Sequence, residues 1–385
     1  MTTPTVYCSA PWNGLTIRED GHVRTCCSGR ISLGNLNKVS IQEIENSEVL
    51  KRIQQKMLLG QPDPDNCSTC IKRVSQSGIA PLRNYYNVNY PDTNHNLLKL
   101  KVVDVRWNNI CNLGCLYCNE QFSSTWNKRL TYKIQNTPVK EYQDDLLLWI
   151  LKHVDSLQEL MLVGGEPLLM KQNYELLKHL PSDCRISIIT NLSYDLKNNP
   201  AFLPLLKKSK ETVVWNVSLE NLEDKFEYVR SGAKWEQLKN NLILLSEHWP
   251  QSISINMTYS MFSAFDIVDT VKWFHSIGIK KFNIFNVTQN RTIDVFNMPT
   301  PIKQLAYQQL KQAHCWHNDQ ILPDDRQLYQ WLGVEQLIGH LESSKDQTVG
   351  LEEFENKIKW YDQWSVNKFS KLWPEVQDLV RKHLI

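Results

Sequence analysis

Three cysteines, Cys111, Cys115 and Cys118, lie within eight consecutive positions of the stretch NNICNLGCLYCNEQF. Structural zinc sites usually close a set of four ligands, often from two cysteine pairs. This stretch supplies three thiols at C-x3-C-x2-C spacing, with no fourth cysteine nearby in sequence. A four-iron cluster takes one ligand per iron, so three thiolates leave one iron open for another molecule. The spacing therefore favours an open, catalytic iron–sulfur site, with a zinc site as the alternative.

A second set of four cysteines lies nearer the N-terminus, at Cys8, Cys26, Cys67 and Cys70. The first two flank a predicted hairpin, and the last two form a C-x2-C pair in QPDPDNCSTC, which its prolines predict to be a loop. Four thiols can close a tetrahedral zinc site or fully ligate a four-iron cluster, and the residues alone leave both open.

Three further cysteines complete the ten in the chain. Cys27 could replace Cys26 as a ligand, but it is more typical of a packed residue, and Cys184 and Cys315 are expected to be small buried residues. The N-terminal MTTPTVYCSAPW lacks the basic and apolar regions of a secretory signal, so we expect a cytoplasmic location. In a reducing compartment, clustered thiols indicate metal ligands rather than disulfides.

The composition is that of a globular protein, with 385 residues, 42% hydrophobic and 22% charged. A net charge of +2 argues against a strongly electrostatic nucleic-acid binder. No apolar stretch approaches the roughly 18 residues that a membrane span requires, so no membrane partner is expected.

Residues 1–98 are predicted to form an α+β domain. The stretch WNGLTIREDGHVRTCC predicts a hairpin that turns at Gly21. SIQEIENSEVLKRIQQKMLLG predicts one helix, because Ser40 and Glu43 have capping-box spacing and Gly60 is a plausible stop.

Residues 99–290 alternate short β-branched runs with helical patterns, which predicts a parallel sheet with crossover helices. The six runs are KVVDVRW, ELMLVG, RISIITN, VVWNVSLE, SISINMTYS and KFNIFNV. Six units favour a partial (β/α)6 TIM-like barrel over a complete eightfold one, and the three cysteines follow its first strand, at the edge where such folds place their chemistry. Residues 291–385 predict a helical extension without strands, which we expect to wall the substrate cleft together with the N-terminal domain.

The cysteine trio, with Tyr117 immediately before its third member, resembles that of the radical S-adenosylmethionine (SAM) enzymes. The resemblance implies a [4Fe–4S] cluster on Cys111, Cys115 and Cys118 whose open iron chelates SAM. One electron from the cluster would then cleave SAM to a 5′-deoxyadenosyl radical, which abstracts a hydrogen atom from the substrate.

Further motifs match that family in chain order, and the resemblance implies SAM contacts for them. The backbone of the GGEP segment would hold the amino group of SAM, with Glu166 assisting, and Asn191 would lie near SAM. Ser218 and Glu220 would contact its carboxylate or ribose, and Arg230 would pair with its carboxylate. The expected cofactor-binding residues are Tyr117, Gly164, Gly165, Glu166, Pro167, Asn191, Ser218, Glu220 and Arg230. No further catalytic residue is assigned.

The N-terminal segment resembles the twitch extension, a shortened SPASM domain that carries one auxiliary [4Fe–4S] cluster. This implies that Cys8, Cys26, Cys67 and Cys70 ligate such a cluster, with zinc as the alternative. The segment departs from the usual pattern because it precedes the barrel, and no second auxiliary cluster is expected.

These resemblances predict an enzyme that modifies a ribosomally made peptide by radical chemistry, with the auxiliary cluster as an electron conduit. The alternative substrate is a small-molecule natural-product precursor. A reducing protein such as flavodoxin or ferredoxin is the expected electron donor. A non-catalytic, metal-stapled binding module is the alternative from another class, although the three-thiol loop would have no use there.

Overall fold

A computed structural model describes residues 6–78, 80–91, 98–130, 142–287, 290–326, 328–343 and 351–383. In these residues the strands are β1 (Gly14–Ile17), β2 (His22–Arg24), β3 (Gly34–Asn35), β4 (Val102–Val105), β5 (Gly114–Cys115), β6 (Glu159–Leu162), β7 (Arg185–Thr190), β8 (Val213–Ser218), β9 (Arg230–Ser231), β10 (Ile253–Tyr259), β11 (Phe282–Asn286) and β12 (Trp331–Leu332).

The helices of the same residues are α1 (Ala10–Asn13), α2 (Ile41–Glu45), α3 (Glu48–Leu58), α4 (Pro64–Ser77), α5 (Pro81–Asn89), α6 (Ser124–Arg129), α7 (Tyr142–Lys152), α8 (Lys171–His179), α9 (Phe202–Leu206), α10 (Glu223–Val229), α11 (Trp235–His248), α12 (Ile267–Ser276), α13 (Thr300–Asp319), α14 (Val334–Ser343), α15 (Leu351–Tyr361), α16 (Phe369–Leu372) and α17 (Pro374–Lys382). Short 3₁₀ helices are Val154–Ser156, Pro167–Leu169, Arg291–Ile293, Val295–Asn297, Pro323–Asp325 and Asp362–Trp364.

The chain divides into two compact units. The first unit comprises Met1–Ile110, Thr131–Ile189 and Asn199–Val213, and the second comprises Cys111–Leu130, Thr190–Asn198 and Val214–Ile385. The linear domain boundaries at residues 98/99 and 290/291 stay predictions.

The first unit contains a sheet in the order β3-β2-β1-β4-β6-β7, in which β1, β4, β6 and β7 run parallel. The predicted hairpin is confirmed, since β1 and β2 pair antiparallel and Gly21 turns the chain with a φ of 87°. That left-handed conformation suits glycine, which has no Cβ to clash. Because β1 also pairs with β4, the N-terminal segment is part of the parallel sheet.

The helices after this hairpin differ from the prediction of a single helix. The capping box is confirmed: Glu43 N donates to Ser40 Oγ at 3.2 Å, and Ser40 N donates to the Glu43 carboxylate at 2.8 Å. However, α2 ends at Glu45, and Ser47 caps a new helix by accepting from Leu50 N at 3.2 Å. A second N-cap side chain therefore divides the predicted helix in two.

The predicted loop carrying Cys67 and Cys70 is wrong, because both cysteines lie on α4. Asp63 caps this helix by accepting from Asp65 N at 3.1 Å, and Pro64 occupies its first turn. Proline fits that position because the first helical N–H needs no partner within the helix. Residues three apart on a helix share a face, so the two thiols project from the same side.

The second unit contains a parallel sheet in the order β8-β10-β11-β12 and a separate antiparallel pair, β5 and β9. Along β8 and β10, buried residues alternate with partly exposed ones, giving an apolar face and a polar face. The prediction of no strand after residue 290 is wrong, because Trp331–Leu332 pairs with β11. Two residues are too few to produce a strand pattern in sequence.

The six predicted strands are confirmed as β4, β6, β7, β8, β10 and β11, and with them the α/β class. Mostly parallel strands with intervening helices are also what a partial barrel requires. Within the part of the chain described, none of the helices has the length and apolar character needed to cross a bilayer.

Candidate functional site

Residues 111–118, the three-cysteine loop, are fixed to the start of α6 by hydrogen bonds. Cys111 N donates to Ser124 Oγ at 3.1 Å, and Thr125 Oγ1 donates to the Cys111 carbonyl at 2.8 Å. Cys118 N donates to the Cys115 carbonyl at 3.0 Å, which closes a tight turn between these two cysteines. The loop backbone therefore has a defined shape.

A buried ion pair between Arg230 and Glu220 lies beside Cys115. Arg230 is the residue of β9 that stands opposite Cys115 of β5. Arg230 donates from Nε and Nη2 to the Glu220 carboxylate at 2.9 and 2.7 Å, and both residues are almost fully buried. Its Nη1 lies 3.8 Å from Cys115 Sγ, and Tyr117 donates to Glu220 Oε2 at 2.7 Å. Glu220 occupies two nitrogens of the Arg230 guanidinium, and the expected pairing of Arg230 with the SAM carboxylate stays a prediction.

Burial dominates the protonation of these thiols, because a thiolate loses its hydration there. It raises the pKa of Cys118 to about 12 and also raises the pKa of Cys115, whereas the Arg230 guanidinium acts in the opposite direction. Binding a metal cluster therefore requires release of these protons.

Asn191 lies beside the first cysteine of the loop. Its Nδ2 is 3.7 Å from Cys111 Sγ and donates to Asn112 Oδ1 at 2.9 Å, while its Oδ1 accepts from Ser193 N at 2.9 Å. Its side chain is thereby oriented towards a thiol. Ser218 ends β8 and is partly exposed, and its expected contact with SAM stays a prediction.

The Gly-Gly pair of the GGEP segment allows two stretches of backbone to approach closely. A Cβ at Gly165 would lie 2.2 Å from the Ile110 carbonyl oxygen, and Gly164 has a φ of 124°. Glu166 N donates to the same Ile110 carbonyl at 2.8 Å. The glycines therefore make room for the backbone that leads into the three-cysteine loop, and the expected contact of the GGEP backbone with SAM stays a prediction.

The side chain of Glu166 is fully buried and accepts from Leu168 N at 3.2 Å. It thus caps the short helix that begins at Pro167. The assistance to SAM that was expected of this carboxylate stays a prediction.

Four cysteines, Cys8, Cys26, Cys67 and Cys70, line one cavity of the first unit, here called the four-thiol cavity. Cys27 does not line it and is exposed, so the prediction of a packed residue there is wrong, and the assignment of Cys26 as the ligand stays a prediction.

Hydrogen-bond donors already face three of these sulfurs. Asn66 Nδ2 lies 3.8 Å from Cys67 Sγ, and the backbone at Ala10 and Ser28 donates to Cys8 and Cys26. Burial raises the pKa of Cys8 to about 12 and that of Cys67 to about 11. Such donors stabilise cluster thiolates, so the donor set fits an iron–sulfur cluster.

Asn66 and Arg83 are two residues lining this cavity that the sequence did not indicate. Asn66 stands next to Cys67, but an amide beside a cysteine is no signal by itself. Arg83, on α5, also lines the cavity and nothing near it in sequence marks it. In the described residues, no three His, Cys, Asp or Glu side chains group closely enough to hold a single metal ion. The ligand assignments stay predictions.

The two remaining cysteines differ in burial. Cys184 is buried, as expected, but Cys315 is exposed on α13, so the prediction of a buried residue there is wrong. Neither thiol lines the four-thiol cavity.

Two family models match the regions just described. The model of the radical SAM superfamily matches residues 105–290, and the SPASM iron–sulfur cluster-binding domain matches residues 8–71. The chain therefore contains a radical SAM domain at residues 105–290. Members of this superfamily are enzymes that use SAM and a [4Fe–4S] cluster, and the SPASM match implies further iron–sulfur binding in the N-terminal segment.

Solved structures with low sequence identity also match. Native anSMEcpe with bound AdoMet is 16% identical, with a TM-score of 0.37, over 55% of this chain and 58% of that one. Streptococcus suis SuiB bound to S-adenosylmethionine is 16% identical, with a TM-score of 0.39, over 64% of this chain and 55% of that one. The match thus spans less than two thirds of either solved chain. No curated protein matches.

Proposed function

We propose that this radical SAM enzyme modifies a ribosomally made peptide, using a SAM-binding cluster on the three-cysteine loop and an auxiliary cluster in the four-thiol cavity. The observation that carries the proposal is the pair of N–H groups, on Arg230 and Asn191, directed at two sulfurs of the loop. Groups that donate to sulfur favour thiolate ligands, and three thiolates leave one iron open.

The protein residues around the loop have distinct tasks in this proposal. When bound, the cluster and SAM supply a 5′-deoxyadenosyl radical that abstracts a hydrogen atom from the substrate. Arg230 places a positive charge beside Cys115, which favours the thiolate over the thiol. Glu220 and Tyr117 hold that guanidinium in place. Asn191 donates towards Cys111 and so orients the other end of the loop.

The four-thiol cavity is assigned to electron transfer. Its four cysteines can ligate every iron of a four-iron cluster, which leaves no coordination position for a substrate. Arg83 contributes a positive charge to the cavity wall, as suits a cluster held by four thiolates. A flavodoxin or ferredoxin is the proposed source of electrons.

A peptide is the proposed substrate class because a SPASM-type segment is combined with a radical SAM core. This combination resembles that of peptide-modifying members of the superfamily. The small-molecule alternative shares the same cofactors, so the substrate itself must be tested.

The test uses anaerobically reconstituted full-length protein with SAM and dithionite, and 5′-deoxyadenosine is measured by chromatography. Peptides translated from short reading frames beside the gene, and separately aminocyclitols, are supplied as substrates. A peptide that stimulates 5′-deoxyadenosine release and changes in mass is the expected result. Stimulation by an aminocyclitol alone would favour the small-molecule alternative.

The matched control is a Cys111→Ala/Cys115→Ala/Cys118→Ala variant, which is expected to release no 5′-deoxyadenosine with any substrate. If this variant cleaved SAM as the wild type does, the assignment of the three-cysteine loop would be wrong. If the iron-loaded wild type left SAM intact, the proposed activity would be wrong.

A further inference from the structure

The C-terminal extension contacts the three-cysteine loop directly, although the family match ends at residue 290. Tyr361 donates from its hydroxyl to the Leu116 carbonyl, within the turn between Cys115 and Cys118. Asn290 Nδ2 donates to the same hydroxyl at 2.8 Å. Tyr361 is almost fully buried, so this hydrogen bond is shielded from water.

An aromatic stack adds a second link between the extension and the loop, through Trp126. Trp126 donates from Nε1 to the Cys115 carbonyl at 2.9 Å, and its ring stacks on Trp360 with centroids 5.3 Å apart and planes 11° from parallel. The Arg129 guanidinium lies 5.2 Å from the Trp126 ring and 5.1 Å from the Trp364 ring. Stacking and cation–π contacts of this kind hold partly buried groups in a defined arrangement.

The same segment is tied to the strand that pairs with the loop. Ser231, which pairs with Gly114, donates to the Trp364 carbonyl at 2.9 Å and accepts from Arg129 at 2.9 Å. Tyr228 donates to Asp362 at 2.9 Å. Residues 360–364 therefore contact Ser231 of β9, which pairs with the loop, and Tyr228 on the helix that precedes β9.

We propose that Trp360, Tyr361 and Trp364, here called the tail clamp, are positioning residues that set the shape of the three-cysteine loop for its cluster and SAM. The proposal rests on the function proposed above. Tyr361 donates to the Leu116 carbonyl, and Trp126, which stacks on Trp360, donates to the Cys115 carbonyl. These two hydrogen bonds fix the backbone between two proposed ligands, Cys115 and Cys118. Small displacements of ligands change how a metal centre binds its partner, which makes this fixation functional as well as structural.

The test compares Tyr361→Phe with Tyr259→Phe in reconstituted full-length protein. Both tyrosines are buried and donate to a backbone carbonyl, but Tyr259 donates to Ala306 on α13, at 3.1 Å, and not to the loop. The readout is the change in the electron paramagnetic resonance spectrum of the reduced cluster as SAM is added. Tyr361→Phe is expected to weaken SAM binding by up to about tenfold, the upper end of what one lost buried hydrogen bond is worth. Tyr259→Phe is expected to match the wild type.

A second pair of variants covers the case in which Tyr361→Phe fails to fold. Trp360→Phe keeps an aromatic ring on Trp126 and is expected to retain the SAM-induced spectral change, whereas Trp360→Ala is expected to weaken or lose it. The clamp proposal is overturned if Tyr361→Phe and Trp360→Ala titrate with SAM as the wild type does. A wild type with no SAM-responsive signal would instead overturn the proposed function.

Discussion

The four-thiol cavity and the three-cysteine loop assemble their thiols in opposite ways. The cavity draws cysteines from three separate segments, with Cys67 and Cys70 fixed on one face of α4. The loop has its thiols in one short stretch, and its shape depends on distant side chains such as Arg230 and Tyr361. A local motif therefore supplies the ligands of the loop, whereas tertiary contacts supply its geometry.

The largest expected effects come from removing cysteines, because the three-cysteine loop and the four-thiol cavity are expected to lose different activities. Cys115→Ala is expected to reduce SAM cleavage to the uncatalysed level. A Cys67→Ala/Cys70→Ala variant is expected to keep SAM cleavage and lose net product, because only the electron conduit is removed. Chromatography of 5′-deoxyadenosine and product distinguishes the two, with exposed Cys315→Ser as the unaffected control. Full product formation by the variant that lacks Cys67 and Cys70 would contradict the proposed electron transfer through the four-thiol cavity.

A smaller expected effect is on stability. It tests whether a buried ion pair supports the three-cysteine loop and not the four-thiol cavity. Arg230→Met leaves the Glu220 carboxylate buried without its cationic partner and is expected to lower the free energy of unfolding by about 3–5 kcal/mol. Urea titration measures this, and Glu220→Gln added to Arg230→Met is expected to recover part of the loss. Arg83→Met, at the partly exposed wall of the cavity, is expected to change stability by less than about 1 kcal/mol. Equal losses of stability in Arg230→Met and Arg83→Met would contradict this difference between the loop and the cavity.

The backbone approach at Gly165 predicts a further loss of stability. Gly165→Ala places a methyl group against the Ile110 carbonyl and is expected to cost about 1–3 kcal/mol, as overpacked sites do. Gly339→Ala is the matched control, because a Cβ on this helical residue has nothing within 4 Å. That change is expected to stabilise by about 0.5–1 kcal/mol, since glycine is unfavourable inside helices. Thermal or urea unfolding that ranked them in the reverse order would refute the steric account.

The smallest expected effect is on the pH dependence of stability in the second unit, which contains a buried pair of histidines. His275 and His317 lie with ring nitrogens 2.8 Å apart, and burial lowers the pKa of His275 from 6.5 to about 4. The unfolded chain therefore takes up a proton at His275 below pH 6.5 that the folded chain does not. Stability from this residue is present above pH 6.5 and falls as the pH decreases to 4.

The measurement is urea unfolding at several pH values in that range. His275→Gln is expected to flatten the pH dependence, whereas exposed His179→Gln is expected to leave it unchanged. An unaltered slope in His275→Gln would show that other groups cause the acid sensitivity.

The sequence predicted the parts of this molecule that depend on local patterns. The six core strands, the Gly21 hairpin and the Ser40 capping box are confirmed. The helix that holds Cys67 was missed because Pro64 is compatible with a loop and with a first helical turn alike. The break in the predicted helix after Glu45 was missed because a serine such as Ser47 is also compatible with a position inside a helix.

Contacts between distant residues could not be predicted from the sequence. The Arg230–Glu220 pair spans ten residues, and the Tyr361–Leu116 hydrogen bond spans 245. Each side chain has many potential partners, and only the fold selects one. The predicted role of the extension in walling the substrate cleft stays a prediction, while its contact with the three-cysteine loop is a finding of the structure.

The central claim is that two separate thiol sets each hold a four-iron cluster. The most direct measurement is the iron and sulfide content of wild type, of Cys111→Ala/Cys115→Ala/Cys118→Ala, and of Cys8→Ala/Cys26→Ala/Cys67→Ala/Cys70→Ala after anaerobic reconstitution. The account predicts about eight irons in wild type and about four in each variant, with a SAM-induced spectral change only where the three-cysteine loop is intact. Zinc in place of iron in the four-thiol cavity, or equal iron in all three proteins, would contradict it.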